Sequence, residues 1–529
     1  MKKNYIENLK EITREELFDG LLGYGMFTEK IPPFLTSENF LDFCKTPPRG
    51  FTFENKPRRY IVYESTRNIN IPRILSIPHP IAYRNQCNIF KDNWSELLTH
   101  FEKKTKDNTH KISRIHIRKI DNSLKVFETC YQDMDDINLD DCTDLTLNHL
   151  FEMNHKNFCT DDYPEPKLLI GKKYMVKADI SNCFPSIYSH ALPWALVGKS
   201  TAKSNMHENT EWYNKIDELT RNKKEAETQG ILIGPHSSNL VSEIILVCVD
   251  SILSEKYQYT RHIDDYTCYL ESMEKAEQFL IDLSTELKKY NLVLNHKKTE
   301  ILELPLASSE HWIRKLNTFV FSDDEKLKLK EVRAFLDISL DLMKENKENS
   351  AILNYAIKVL SKKDMTRNAK EYFTDTIHHL VLLYPYLVTM IEKNVFEPFS
   401  IQNSKIEEIS LDIFKLGEKN NLFEAMSYAV YFSIKYNFKI NDSLYYVAAK
   451  SMDAVFMLLA YLHDKKLYIG RSFPKSTIGK KYKKLAQDLL DDIDEYWIFV
   501  YEVLTVGLLK GEWKAIKKEK VSFVSNGLI

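Results

Sequence analysis

The spacing of hydrophobic positions changes twice along the chain, and each change marks a different kind of structure. Through residues 1 to about 165, short helical stretches mix with Pro-punctuated extended pieces such as 69–78, Ile-Asn-Ile-Pro-Arg-Ile-Leu-Ser-Ile-Pro. From 166 to about 305, short apolar runs of strand length alternate with helices. From about 310 onward helical periodicity prevails and glycine becomes rare. It predicts helices over 331–343, 351–360, 369–383, 406–416, 422–434, 451–462 and 482–497, the last running on to 509. They pair at an irregular spacing of about forty residues, near that of HEAT-type arrays. The fold class expected is α+β: an antiparallel sheet with helices, then an all-α helical-repeat (HEAT-like) domain. The boundaries expected are 1–165, 166–305 and 306–529.

Four segments of the middle zone carry chemistry. In 173–190 a strand over 174–178 runs into Asp179, then a tight bend, then a helix starting near Ser186. An acid at the end of a strand can present its carboxylate to a metal, with the Ile180 carbonyl as a second oxygen ligand. Strand-ending aspartates also commonly cap the next helix. In 257–270 aromatic and β-branched residues flank Ile263-Asp264-Asp265, the pattern of a hairpin with two carboxylates at its turn. An isolated Asp-Asp pair is more often an ordinary turn. Here, adjacent like charges between apolar strands repel unless a cation lies between them, and magnesium favours such hard oxygen ligands. Segment 229–240, Gln-Gly-Ile-Leu-Ile-Gly-Pro-His-Ser-Ser-Asn-Leu, is a Gly-punctuated loop entering an apolar helix over 237–253, with Ser237, Ser238 or Asn239 as its cap. Segment 290–299 is a short strand with a polar turn and two lysines.

Composition narrows the picture. The chain has 529 residues, more than one core usually holds. The first residues are charged throughout, without a secretory h-region, and the apolar stretch around 244–249 is too short to span a bilayer; an intracellular, cytoplasmic protein with no membrane partner is expected. Eight cysteines show no CxxC pair and read as free thiols. The net charge of −2 means that any basic surface is local, because enzymes gripping long duplexes usually carry a large basic footprint. The clearest basic run is Lys103, Lys104, Lys106, Lys111, Arg114, Arg118 and Lys119. Within it, strand alternation puts Arg114, His116 and Arg118 on one face, where arginine forks suit phosphate oxygens. Gly198-Lys-Ser200 is not a P-loop, since Pro193 stands where the first glycine is required.

Order and spacing join the four segments. Asp-Ile-Ser-x-x-Phe, Gln-Gly-x-x-x-Gly-Pro, Arg-x-x-Asp-Asp and Leu-Asn-x-x-Lys-Thr, within about 120 residues, resemble motifs A to D of reverse transcriptases. That resemblance implies a fingers and palm fold of the right-hand polymerase type. It also implies two magnesium ions (manganese the alternative) held by Asp179, Ile180, Asp264 and Asp265. Phe184 takes the steric-gate position against a ribose 2′-OH, Gln229 lies against the incoming dNTP, and Lys298 lies near its phosphates. Leu192-Pro-Trp-Ala-Leu-Val-Gly-Lys-Ser-Thr-Ala-Lys203, with Ile31-Pro-Pro-Phe34 and Ser37-Glu-Asn-Phe40, is similar to the abortive-infection (Abi) reverse transcriptases, the AbiK-like family. Membership would imply anti-phage defence in bacteria, untemplated dNTP polymerisation primed by a tyrosine of the protein, a covalently attached single-stranded DNA product and homo-oligomers. Tyr24, between two glycines, is the tyrosine favoured as primer. The competing readings are a templated RNA-directed DNA polymerase of retron or group II intron type, and a catalytically silent RNA-binding scaffold.

Overall fold

The computed structural model describes residues 5–68, 71–105, 117–119, 151–153, 165–307, 309–322, 325–347, 349–469 and 472–528. They form two compact units, one of 1–28, 37–60 and 76–306, the other of 29–36, 61–75 and 307–529.

The first unit carries a four-stranded antiparallel sheet made of β1 (Tyr174–Asp179), β2 (Tyr259–His262), β3 (Asp265–Leu270) and β4 (Glu300–Glu303), in the order β2-β3-β1-β4. Val176 and Ala178 are buried while Lys177 between them is exposed, the alternation that fixes register on a half-buried strand. Four of the unit's helices matter below: α1 (Trp94–Thr105), α2 (Ala191–Val197), α3 (His236–Leu253) and α4 (Met273–Lys288). α4 contributes Phe279, Leu283 and Leu287 to the core. α3 is 18 residues long and apolar enough to cross a bilayer by length and composition, longer than the apolar run read from sequence. It is 83% buried, however, as the central helix of a core is. Its start also differs from expectation: Pro235 is the N-cap and makes no side-chain cap bond, while Ser237 and Ser238 are buried instead of capping. The helix expected from Ser186 is another correction. A short helix, Cys183–Ser186, ends there, and the chain resumes helix only at α2.

The second unit is helical in its C-terminal part. Phe423–Tyr436 and Ala454–Leu467 are apolar on nearly every face and form its centre. Residues 29–36 are stitched to the end of the chain: Thr36 N donates to Phe523 O at 2.9 Å and Ser525 N to Phe34 O at 2.8 Å. Two predicted helices begin or end elsewhere. The run 482–509 is two helices, Thr477–Asp488 and Ile493–Val503, the first capped by Ser476 Oγ accepting from Gly479 N. The helix expected at 451 starts at Ala454, because Met452 turns the chain at φ +54 and Asp453 caps Phe456 N at 2.7 Å. The preceding eight-residue helix, Leu444–Ser451, is too short to announce itself by periodicity.

Candidate active site

The sheet brings the three acids together at one end. Antiparallel register sets Asp179, the last residue of β1, opposite Asp265, the first of β3. His262 pairs with Asp265 across the hairpin, so the connection is the two residues Ile263 and Asp264. One more link closes the group: Ile180 N donates to Asp264 O at 3.2 Å. Such a tight connection demands a residue at positive φ, and Ile263 adopts φ +56, a costly conformation for a β-branched side chain.

That strain is held from beneath. Arg261 is wholly buried, and its Nη1 donates to Ile263 O at 2.9 Å. Its other nitrogens meet Asp250 (2.6 Å to Oδ2) and Glu243 (3.0 Å to Oε2), both buried on α3. Tyr259 donates to Asp250 and Tyr5 to Glu243, at 2.7 and 2.8 Å. Burial alone would lower the guanidinium pKa, but the two carboxylates outweigh it and hold the group charged. Sequence reasoning did not find this network. The signal was available: Glu243 and Asp250 are seven apart, hence on one face of an otherwise apolar helix.

Asp179 is buried and fully engaged. Asn295 Nδ2 donates to Oδ1 at 3.0 Å and Lys298 Nζ to Oδ2 at 2.8 Å. Lys298 was expected near nucleotide phosphates; here it forms an ion pair with Asp179, which raises its pKa. Asn295 is the Asn of the Leu-Asn-x-x-Lys-Thr segment, to which the sequence alone assigns no role. Asp265, exposed to solvent at the strand start, has its carboxyl pushed up to about 6 by partial desolvation and by the charges of Asp264 and Asp179. Among the described residues no three His, Cys, Asp or Glu side chains are disposed as a ready metal cage. The donor chemistry nevertheless fits a hard divalent cation: carboxylates that repel one another, plus an ammonium already serving Asp179 as counter-charge.

The segments that carry Phe184 and Gln229 are joined by hydrogen bonds. Gly230 N donates to Ile187 O at 2.8 Å and Ile231 N to Phe184 O at 3.0 Å. Gln229 Nε2 donates to Ser186 O at 3.1 Å. Gly230 has φ +79, and a Cβ there would lie 2.8 Å from Pro185 O. Gly230→Ala should therefore destabilise by about 1–3 kcal/mol; an unchanged melting temperature would show that the loop is not pinned this way.

Tyr24 lies in the first unit with its phenol hydrogen-bonded to Glu38. Burial, Glu38, Asp19 and Asp42 all raise its pKa, which opposes phenolate formation. Arg114 lies outside the described residues. Arg118 lies in the short strand Ile117–Lys119, paired with Phe151–Met153, opposite Glu152.

Residues 105–335 match the family described as reverse transcriptase (RNA-dependent DNA polymerase). The segment is thus a reverse transcriptase domain. No curated protein matches the chain in sequence. Solved structures similar to it include apo telomerase from Candida tropicalis lacking its C-terminal domain, at 15% identity over 48% of this chain and 51% of that one, with a TM-score of 0.25. The same telomerase without that truncation gives 11% identity over 82% and 70%, TM-score 0.30. Telomerase from Candida albicans with a fragment of telomeric RNA gives 11% over 69% and 63%, TM-score 0.27. The chain spans about half the length of the first of these.

Proposed function

We propose that this chain polymerises deoxynucleotides without a template, starting from one of its own tyrosines, and serves anti-phage abortive infection. The observation that carries the polymerase part is the meeting of Asp179, Asp264 and Asp265 at one end of the sheet. The untemplated, self-primed part is supported by the sequence likeness of 31–34, 37–40 and 192–203 to abortive-infection enzymes, and by a net charge of −2, low for a protein gripping a duplex.

In this reading the primer hydroxyl attacks the α-phosphorus of a dNTP; the new O–P bond forms as the bond to pyrophosphate breaks. Asp179, Asp264, Asp265 and the Ile180 carbonyl would hold two magnesium ions, which when bound stabilise the attacking and leaving oxygens. Phe184 excludes the 2′-OH of a ribonucleotide, and Gln229 orients the incoming nucleotide. Lys298 exchanges Asp179 for a phosphate oxygen when a cation takes over the carboxylate, and Arg114 and Arg118 add phosphate contacts. The HEAT-like helical part would serve homo-oligomer assembly in the bacterial cytoplasm. Any primer must be a phenol able to lose its proton at the carboxylate site, a demand that the acidic surroundings of Tyr24 do not help to meet.

The second reading, templated RNA-directed DNA synthesis, is favoured by the family description of residues 105–335. Incubation with dNTPs and magnesium separates the two. A protein-linked DNA ladder without added template is expected; product that forms only with a template and a free primer would establish the second reading instead.

A further inference from the structure

A cavity of about 860 Å³ opens in the first unit on the side of α1 and α2. None of the residues lining it belongs to the carboxylate site. Its chemistry is lopsided. Lys103 and Lys104 from the end of α1, Lys199 just beyond α2 and Lys289 just beyond α4 all line it, against one carboxylate, Glu96. Glu96 accepts from Ser95 Oγ at 2.8 Å, and Lys289 is already committed to Glu286 at 2.6 Å. Among the described residues, Lys103, Lys104 and Lys199 have no salt-bridge partner.

The walls add aromatic surface. Lys199 Nζ lies 4.0 Å from the Trp194 ring centroid, and Tyr188 covers Trp194 at 5.6 Å. Trp194 is thereby a fixed wall that holds the Lys199 ammonium at the cavity. Trp212 is half-buried and lines the cavity; among the described residues its one aromatic neighbour is Tyr213, edge-on at 5.9 Å, which leaves the indole face to the cavity for stacking. The floor is neutral at physiological pH: His100 Nε2 donates to Ile244 O at 3.0 Å, and burial lowers its pKa to about 4, with Lys104 and Lys103 adding to the effect. The positive field therefore comes from the lysines alone and has no counter-charge within the cavity beyond Glu96.

We infer that this cavity is a second nucleotide-recognition site, taking one nucleotide unit with its base on the Trp212 indole and its phosphate on Lys103, Lys104 and Lys199. Stacking on an aromatic side chain beside a cationic groove is how single strands are held without sequence preference. A free nucleotide presents the same two groups, so the two sources share one chemistry. The inference does not depend on the polymerase reading, because binding is measured with no catalysis under way.

The test uses the full chain in EDTA, with a fluorescently labelled fifteen-residue oligo-dT and free dTTP as separate probes. Trp212→Ala should weaken oligonucleotide binding about tenfold or more, and Trp212→Phe should restore most of it. Lys103→Gln and Lys199→Gln should each reduce the slope of log K against log salt by about 0.7. Both lysines are exposed, so these variants keep the test readable if Trp212→Ala fails to fold. Loss confined to oligo-dT assigns the site to a strand, loss confined to dTTP assigns it to the free nucleotide, and loss of both leaves it open to either. Unchanged affinity and salt slope for both probes would overturn the inference, whatever the polymerase assay gives. Conversely, a chain that makes no DNA yet binds through Trp212 and Lys199 would sink the proposed function and leave this site standing.

Discussion

Arg261→Leu is expected to cost about 3–5 kcal/mol of stability in the first unit, the penalty for breaking a buried ion pair from one side. The reason is an imbalance of charge. Asp250 and Glu243 are both buried, and Arg261 is the cation facing both. Tyr259 and Tyr5 supply one hydrogen bond each, which satisfies lone pairs but neutralises no charge. Removing the guanidinium leaves two carboxylates in apolar surroundings, and they must protonate or drag water inward. Arg261→Lys keeps the charge yet lacks the fork that reaches Asp250 and the Ile263 carbonyl together, so it should fall between leucine and wild type. Adding Asp250→Asn and Glu243→Gln to Arg261→Leu should recover part of the loss, since the orphaned charges go with the cation. The same substitution frees the Ile263 carbonyl, and the hairpin connection at φ +56 loses the donor that pins it. Catalysis should then drop even at temperatures where the variant is folded. Denaturant unfolding is the direct measurement. A loss below about 1 kcal/mol for Arg261→Leu would show that the buried carboxylates are already neutral in the native protein.

This network also shows where the sequence stops being legible. Asp179, Asp264 and Asp265 were legible from the order and spacing of the four segments: a strand ending in an acid and a hairpin with two acids, each weak alone, of which Asp264 lies in the connection and Asp265 opens the next strand. Register then does the rest, since an antiparallel sheet that buries Val176 and Ala178 has one way to align Asp179 with Asp265. Gln229 and Phe184 were legible as motif positions, but not the backbone bonds from Gly230 and Ile231 that join their loops. The contact of Lys298 with Asp179 was not legible, because the lysine's target depends on how the turn after Leu294 folds back on Ile180. Helical content in the C-terminal part was legible from periodicity. The break at Met452 and the split after Asp488 were not, because each rests on a cap and one backbone angle. Nor does periodicity reveal that residues 29–36 pair with the chain's last residues, a contact across almost the whole length of the sequence.

Asp264→Asn should abolish polymerisation, by about a thousandfold or more, while leaving the protein at least as stable as wild type. Loss of several kcal/mol of transition-state stabilisation corresponds to that factor. The opposite sign for stability follows from the crowding of carboxylates. Asp264 is one of the two charges that push the Asp265 carboxyl upward; an amide removes that repulsion without changing the shape of the turn, and its backbone carbonyl still accepts from Ile180 N. A merely structural role for Asp264 predicts the reverse, a less stable protein whose residual activity tracks its folded fraction. Magnesium gives a second readout that needs no catalysis. A cation that binds the native carboxylates but not the unfolded chain raises the melting temperature with concentration. Wild type should show that rise, and Asp264→Asn should show little of it. Lys298→Gln should sharpen the contrast, because it removes the ammonium that competes for Asp179 and so should make the magnesium-dependent rise larger at equal concentration. If Asp264→Asn keeps a tenth of wild-type polymerisation, or responds to magnesium as wild type does, the carboxylates at the end of this sheet are not where the chemistry is done.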